Sequence, residues 1–227
     1  MIFNKHSEIR NQHALFSPSQ SSWLRYDDQK IAERINGQYR TVLGTELHEF
    51  AASQIEMSHK VTNIRGLVSG VENHIYVKYR CCDELSKTAG YGMTLLKHIG
   101  YLPKEVFETA KLYINDGIQY RMTTEQPLVY SEYFFGTPDT IAFRDNILRI
   151  HDYKSGDHPA GMDQLLVYAA LFFLEYAVKP REVKTELRIY QGGGRIICEP
   201  ELDEIRGVMD KIISANRIAE RIKAKEE

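Results

Sequence analysis

Asp139, Asp152 and Lys154 carry the side chains whose types and spacing point most clearly to chemistry. Asp139 opens one apolar run, Asp152 lies near the end of the next, and Asp145-Asn146 sits between them. A two-residue turn on Asp145-Asn146, a pair that tolerates the positive φ such turns need, sets Arg144 against Ile147 and Phe143 against Leu148. The same register sets Ile141 against Ile150 and Asp139 against Asp152. Side chains alternate along a strand, so these acids share one face with Ile141, Leu148, Ile150 and Lys154, while Thr140, Arg144, Arg149 and His151 take the other. Directly opposed residues have Cβ atoms about 5 Å apart, where like charges destabilise each other. Two compensations are open. One is a shared proton that raises one carboxyl's pKa; the other is a divalent cation, with Lys154 adding positive charge. Carboxylate oxygens suit Mg2+ or Mn2+, which keep several waters and often bind substrate phosphates as well. A slip of one residue would set Asp139 against His151 or Tyr153 and dissolve the pair, leaving a surface hairpin with its acids in water.

Acid-x-Lys is a degenerate pattern. It occurs at Asp28-Gln29-Lys30, Glu182-Val183-Lys184 and Asp152-Tyr153-Lys154, and only the last ends an apolar strand at hairpin distance from the chain's one Pro-Asp, Pro138-Asp139.

The elements that must position these groups are legible from Pro127 onward. Residues 128–135, 139–143 and 147–154 read as strands, 161–177 as a strongly apolar helix, and 183–190 as a half-buried strand in which Val183, Thr185, Leu187 and Ile189 alternate with polar neighbours. Gly192-Gly193-Gly194 turns into a short strand at 195–198, and an amphipathic helix closes the chain at about 201–225. Before Pro127, Ser17 as N-cap and Pro18 at the first helical position open a short helix through Trp23 and Arg25. A second helix is expected at about 44–59. Residues 60–126 mix weak strand signals (Ile75, Val77, Tyr79) with a helix after Pro103 and read as a mostly helical insertion.

Composition bounds the function. A chain of 227 residues, 26% charged and 11% aromatic, is neither disordered nor of low complexity. It fits one domain, or one with a sizeable insertion, that needs no disulfide or metal staple to fold. The apolar stretch Leu165–Phe173 is too short to span a bilayer, so no membrane partner is expected, and no basic start with an apolar run follows Met1 as in a secretory leader. The vicinal pair Cys81-Cys82 lacks C-x-x-C spacing, and the three cysteines in all are expected to be reduced, in the cytoplasm. The net charge of −2 runs against the basic excess of most nucleic-acid binders. Arg144, Arg149, Arg181, Lys184 and Arg188 would still supply local positive potential if they lined one groove.

Four blocks, in order, resemble the PD-(D/E)xK nuclease superfamily and its RecB-like exonuclease branch. Gly44-Thr45-Glu46-Leu47-His48 resembles the branch's Gly-Thr-x-x-His motif, and Gly136-Thr137-Pro138-Asp139 its Pro-Asp motif. Asp152-Tyr153-Lys154 resembles the acid-x-Lys motif, with Asp where Glu is commoner, and Gln164 to Tyr168 the Gln-x-x-x-Tyr motif. Ser17-Pro18-Ser19 with Trp23-Leu24 is similar to the opening motif of stand-alone, phage-encoded members. The resemblance covers roughly residues 13–56 and 127–190. It implies an α/β fold, a restriction-endonuclease-like αβββαβ core whose mixed sheet is flanked by helices. That core would occupy about 13–59 and 127–227 of a single domain, 1–227, with 60–126 inserted.

By position the resemblance implies His48, Asp139, Asp152 and the Tyr153 backbone carbonyl as ligands of Mg2+ or Mn2+. Lys154 would orient or activate the attacking water, and Gln164 and Tyr168 would support the site and contact DNA. Relatives with an iron–sulfur cluster hold it on four cysteines, so no such cluster is expected with three. His48 shares a helical face with Ala51, Ala52 and Ile55 and by itself reads as a core histidine; the motif makes it a ligand, better suited to manganese. Glu132 is either a further metal or base residue or a plain exposed acid. Glu46 and Glu49 are expected to be solvated, His151 and His158 exposed with a phosphate within reach, and Gly192-Gly193-Gly194 a flexible hairpin turn. The function implied is a metal-dependent exonuclease of phage type, acting on DNA ends in recombination or repair inside a bacterial or phage-infected cell. A homo-oligomer or a recombination partner protein would be compatible with it. The alternatives are a structure-selective or nonspecific endonuclease of the same fold, and a non-catalytic DNA- or protein-binding module.

Overall fold

The computed structural model describes residues 15–16, 18–80, 87–156 and 158–225. Ser17 and the Cys81-Cys82 pair lie outside the described residues. Residues 1–42 and 43–227 form two compact units. In the first, a 3-10 helix over Pro18–Arg25 leads into α1 (Asp28–Glu56). Asp27 caps α1, its Oδ1 accepting the Lys30 N–H at 2.8 Å. The C-terminal half of α1 belongs to the second unit, as does everything that follows.

Three helices come next: α2 (Ile64–Arg80), α3 (Lys87–Ile99) and α4 (Lys104–Gln119). The strand signal at Ile75, Val77 and Tyr79 is overruled, because Leu67, Val71 and Ile75 recur at helical spacing and are all buried in α2. α4 starts after Pro103, as expected, and buries Val106, Phe107, Ala110, Tyr113, Ile114 and Gly117.

Among the described residues, seven strands, two α-helices and a short 3-10 helix (Pro180–Glu182) complete the unit: β1 (Thr123–Thr124), β2 (Leu128–Ser131), β3 (Phe134–Gly136), β4 (Thr140–Arg144), β5 (Ile147–Tyr153), α5 (Asp163–Glu175), β6 (Lys184–Gln191), β7 (Gly194–Cys198) and α6 (Leu202–Lys223). The main sheet has the order β1-β4-β5-β6-β7, with β5 and β6 parallel and the other neighbours antiparallel. Parallel neighbours need a crossover, and α5 lies within it. The β4–β5 register is the expected one, from Arg144 opposite Ile147 to Thr140 opposite His151. Asp145 (φ 52°) and Asn146 (φ 57°) both adopt the positive φ that the tight turn requires.

One expectation is corrected. The single strand foreseen at 128–135 breaks at Glu132-Tyr133 into β2 and β3, which form their own two-stranded sheet against α5. β4 pairs with the two-residue β1. Within the stretch 60–126, α4 packs on β5, β6 and β7.

The sheet is covered on both faces. On one, Leu148, Ile150, Leu187 and Ile189 pack with Leu165, Ala169 and Phe173 of α5 and with Ile205 and Ile212 of α6. On the other, Tyr153 and Tyr190 meet Tyr113 of α4, with ring centroids 5.5 and 5.4 Å away. The half-buried strand expected at 183–190 is therefore buried on both sides over Leu187–Tyr190. The fold is α/β, a mixed sheet flanked by helices.

Candidate metal centre

The motif residues converge where β4 begins and β5 ends. Thr140 and His151 are the last pair of the β4–β5 ladder, so Asp139 and Asp152 are the next in register. The Asp139 carboxylate turns onto the strand beyond the ladder's end, its Oδ2 accepting the Tyr153 N–H at 2.8 Å. The Lys154 N–H donates to the Tyr190 carbonyl at 2.9 Å, which extends the β5–β6 pairing and fixes the start of the lysine side chain.

α1 brings His48 to this end of the sheet. Its Nδ1 lies 3.4 Å from Asp139 Oδ2, and its ring packs on the Tyr153 ring at 4.9 Å between centroids. One turn earlier, Gly44 lies close to Ser155, whose Oγ would be 2.8 Å from a Cβ there. Gly136 plays the same part for α5, where a Cβ would meet Tyr168 Cε1 at 2.8 Å.

Lys154 Nζ bonds Asp152 Oδ1 at 3.0 Å, lies 2.9 Å from Asp152 Oδ2, and reaches Gln164 Oε1 at 3.4 Å. Gln164 Nε2 in turn donates to the Tyr168 hydroxyl at 3.1 Å. These four side chains form one continuous chain from β5 to α5. Gln164 is exposed, in the first turn of α5.

Burial and charge set the protonation states. Burial, then the neighbouring Asp139 charge, push the Asp152 carboxyl up to about 6 against the pull of Lys154. Asp152 Oδ2 is buried and lies against the Lys154 ammonium. Burial also raises Asp139, while the Tyr153 N–H and Lys154 hold it down. His48 is lowered by burial, with Asp152 pulling the other way. A neutral imidazole beside two carboxylates has the donor types a divalent cation takes, but in this arrangement the three groups do not bring one ligand atom each within 4.8 Å of one another. The contacts run in pairs, His48 with Asp139 and Lys154 with Asp152.

The other expected residues fall elsewhere. Glu132 is exposed in the β2–β3 turn and pairs with Lys223 of α6 at 2.6 Å, so it takes no part in the site. The continuous strand expected to carry it is broken at this turn. Glu46 is 1% exposed rather than solvated. It accepts from Lys78 at 3.0 Å and from the Tyr79 hydroxyl at 2.8 Å, and lies 3.2 Å from His74 Nε2. Glu46, Glu49 and His74 offer donor atoms within 4.8 Å of one another, yet the Lys78 ammonium binds both acids and already supplies their countercharge.

The far face of the sheet carries a polar network that the strand pattern did not disclose. His151 is fully buried, not exposed, and its pKa lies well below the usual value through burial and then the Arg188 charge. Asp116 of α4 accepts from Arg188 at 2.9 Å, the Tyr190 hydroxyl at 2.7 Å and Arg195 at 2.8 Å. Glu186 accepts from Arg149 and Arg188. Lys184 pairs with Glu199 and Arg181 with Glu182, so of the five basics expected to line a groove, four have acidic partners. His158 is exposed, as expected.

One residue missed by sequence lies at the site. Glu125, just past β1, donates its N–H to the Asp139 carbonyl at 3.0 Å. The only local sign of it is Thr123-Thr124, a β-branched pair too short to read as a strand. No helix among the described residues is long and apolar enough to cross a membrane. Compared with family models, curated proteins and solved structures, the chain matches none.

Proposed function

We propose that the chain is a metal-dependent DNA exonuclease of the PD-(D/E)xK superfamily, RecB-like in its motifs and built on a restriction-endonuclease-like core. One observation carries this reading. A hairpin whose register was set by an Asp145-Asn146 turn brings Asp139 beside Asp152, and independent segments deliver His48 and the Lys154–Gln164–Tyr168 chain to the same sheet end.

The donor chemistry suits a divalent cation. Asp152 is a buried carboxylate whose Oδ2 faces the Lys154 ammonium at 2.9 Å, beside a second carboxylate whose charge disfavours its ionisation. His48, Asp139 and Asp152 would hold Mg2+ or Mn2+, with the Tyr153 carbonyl as a further oxygen donor. Such an ion polarises a phosphodiester and lowers the pKa of a bound water. The chain's own groups do the rest. An ammonium has three N–H donors, and with Asp152 and Gln164 taking two, Lys154 has one for a water or a phosphate oxygen. The Tyr168 hydroxyl accepts from Gln164, which leaves its O–H to donate to the DNA backbone. His48 stays neutral, and its contact with Asp139 fixes that carboxylate's orientation.

The test is a time course on end-labelled linear duplex, linear single strands and closed circular DNA with Mg2+ or Mn2+. Linear substrates are expected to be degraded from their ends and circles left intact, with Asp139→Asn and Lys154→Ala at least 100-fold slower. Cutting of circles would make the enzyme an endonuclease. Absence of cleavage in every lane would overturn the nuclease reading.

A further inference from the structure

The loop that joins β5 to α5 separates Lys154 from Gln164, whose side chains meet at 3.4 Å. Where the loop runs therefore bears on that contact. Met162, at the N-cap position of α5, makes no side-chain cap bond, so no cap fixes where the first turn and Gln164 begin. The loop is held from β6 instead. The Tyr190 carbonyl takes the Lys154 N–H, and the next residue, Gln191, reaches three backbone groups farther along. Its Nε2 donates to the Gly156 and His158 carbonyls at 2.7 Å each, and its Oε1 accepts the Ala160 N–H at 3.2 Å. A primary amide has two N–H donors and one carbonyl, so these bonds use both donors and fix which way the amide points. Among the described residues no other hydrogen bond holds these three backbone groups.

Gln191 is itself placed by a turn. Gly192 (φ 60°) and Gly193 (φ 79°) form the two-residue link from β6 to β7, with Gln191 opposite Gly194. The Gly193 N–H donates to the Thr109 hydroxyl of α4 at 2.7 Å, and that hydroxyl donates to the Glu105 carbonyl one turn back, also at 2.7 Å. The turn is thus tied to α4, and Gln191 stands at its base.

We propose that Gln191 is a positioning residue of the reaction: by clamping Gly156, His158 and Ala160 it keeps Lys154 against Gln164 and so aims the ammonium at the water or phosphate. The inference deepens the nuclease reading and rests on it. Misplacing a reacting group by about 1 Å can cost on the order of 100-fold in rate, whereas the grip on the rest of the DNA does not pass through this loop's backbone.

Steady-state cleavage of end-labelled linear duplex with Mn2+ tests this with two variants of nearly unchanged size, Gln191→Met and Gln191→Glu, beside the unmodified chain. Gln191→Met is expected to lower kcat about 10-fold and to leave KM for DNA and the affinity for Mn2+ alone unchanged. Gln191→Glu should be as slow at pH 8, because a carboxylate accepts from Ala160 but cannot donate to two carbonyls. Its rate relative to the unmodified chain should rise as pH falls to about 5.5, where a protonated carboxyl regains one O–H donor, while the ratio for Gln191→Met stays flat. A melting curve of each variant shows that the fold is kept at the assay temperature. Equal kcat in all three proteins, a loss confined to KM, or a Gln191→Glu ratio that is flat with pH overturns the positioning role and leaves the nuclease reading intact. If the unmodified chain cleaves no DNA, both fall.

Discussion

Asp152 lowers the stability of the fold at neutral pH. Its carboxyl is raised to about 6 by burial and by Asp139, whereas an unfolded aspartate titrates near 3.9. Between those values the folded chain binds more protons than the unfolded one, so this group lowers stability as pH rises through the window, fully so above about 6. In chelator, Asp152→Asn is therefore expected to stabilise the protein at pH 7.5 by on the order of 1–2 kcal/mol, with little gain at pH 4. Urea unfolding at both pH values measures this; a gain equal at the two pH values would mean that ionisation of the buried carboxyl is not the cause. His151 contributes in the opposite sense, because a base kept neutral by burial loses stability as pH falls below its unfolded value. Comparing the variant with the parent at each pH removes that contribution.

Elements matter here through how closely they approach. The Gly136–Tyr168 contact joins β3 to α5, and Tyr168 is the last member of the chain that begins at Lys154. Gly136→Ala would put a methyl 2.8 Å from the tyrosine ring, which must swing away and take Gln164 with it. We expect kcat to fall about 10-fold or more, as displacements near 1 Å can cost still larger factors, with the thermal midpoint nearly unchanged. Steady-state kinetics beside a melting curve separates this from unfolding. Unchanged kcat would show that Tyr168 does not hold Lys154 through Gln164. Gly44, by contrast, faces only the Ser155 hydroxyl, which can rotate away from a methyl.

At the scale of the molecule, a near-neutral chain carries a concentrated negative site. Its formal charge is −2, and Arg149, Arg181, Lys184 and Arg188 are already paired with acids. The expected consequence is that stability depends on divalent cation more than on salt. At a concentration 100 times its dissociation constant, Mn2+ should stabilise the fold by about 2.7 kcal/mol. Melting curves with Mn2+ or EDTA at equal ionic strength check this, and Asp139→Asn should abolish the difference. An equal rise in both proteins would place the bound ion elsewhere, with Glu46, Glu49 and His74 the next candidates.

What the sequence determined alone was local. The β4–β5 register followed from an alternating pattern and a turn pair that accepts positive φ, both within a few residues. The boundaries of α5, β6 and α6 followed in the same way from periodicity and turn residues. Where a residue's environment depended on a distant partner, pattern was silent or misleading. Arg188 meets Asp116 across 72 positions, Glu46 meets Lys78 across 32, and Glu132 meets Lys223 across 91. Alternation along one strand reports which residues share a face; it does not report that α4 covers the second face and turns His151 and Arg188 inward. Likewise only the β1–β4 pairing, two residues long, brings Glu125 to Asp139. Short-range geometry placed the acid pair, and long-range packing decided which other charges stand beside it.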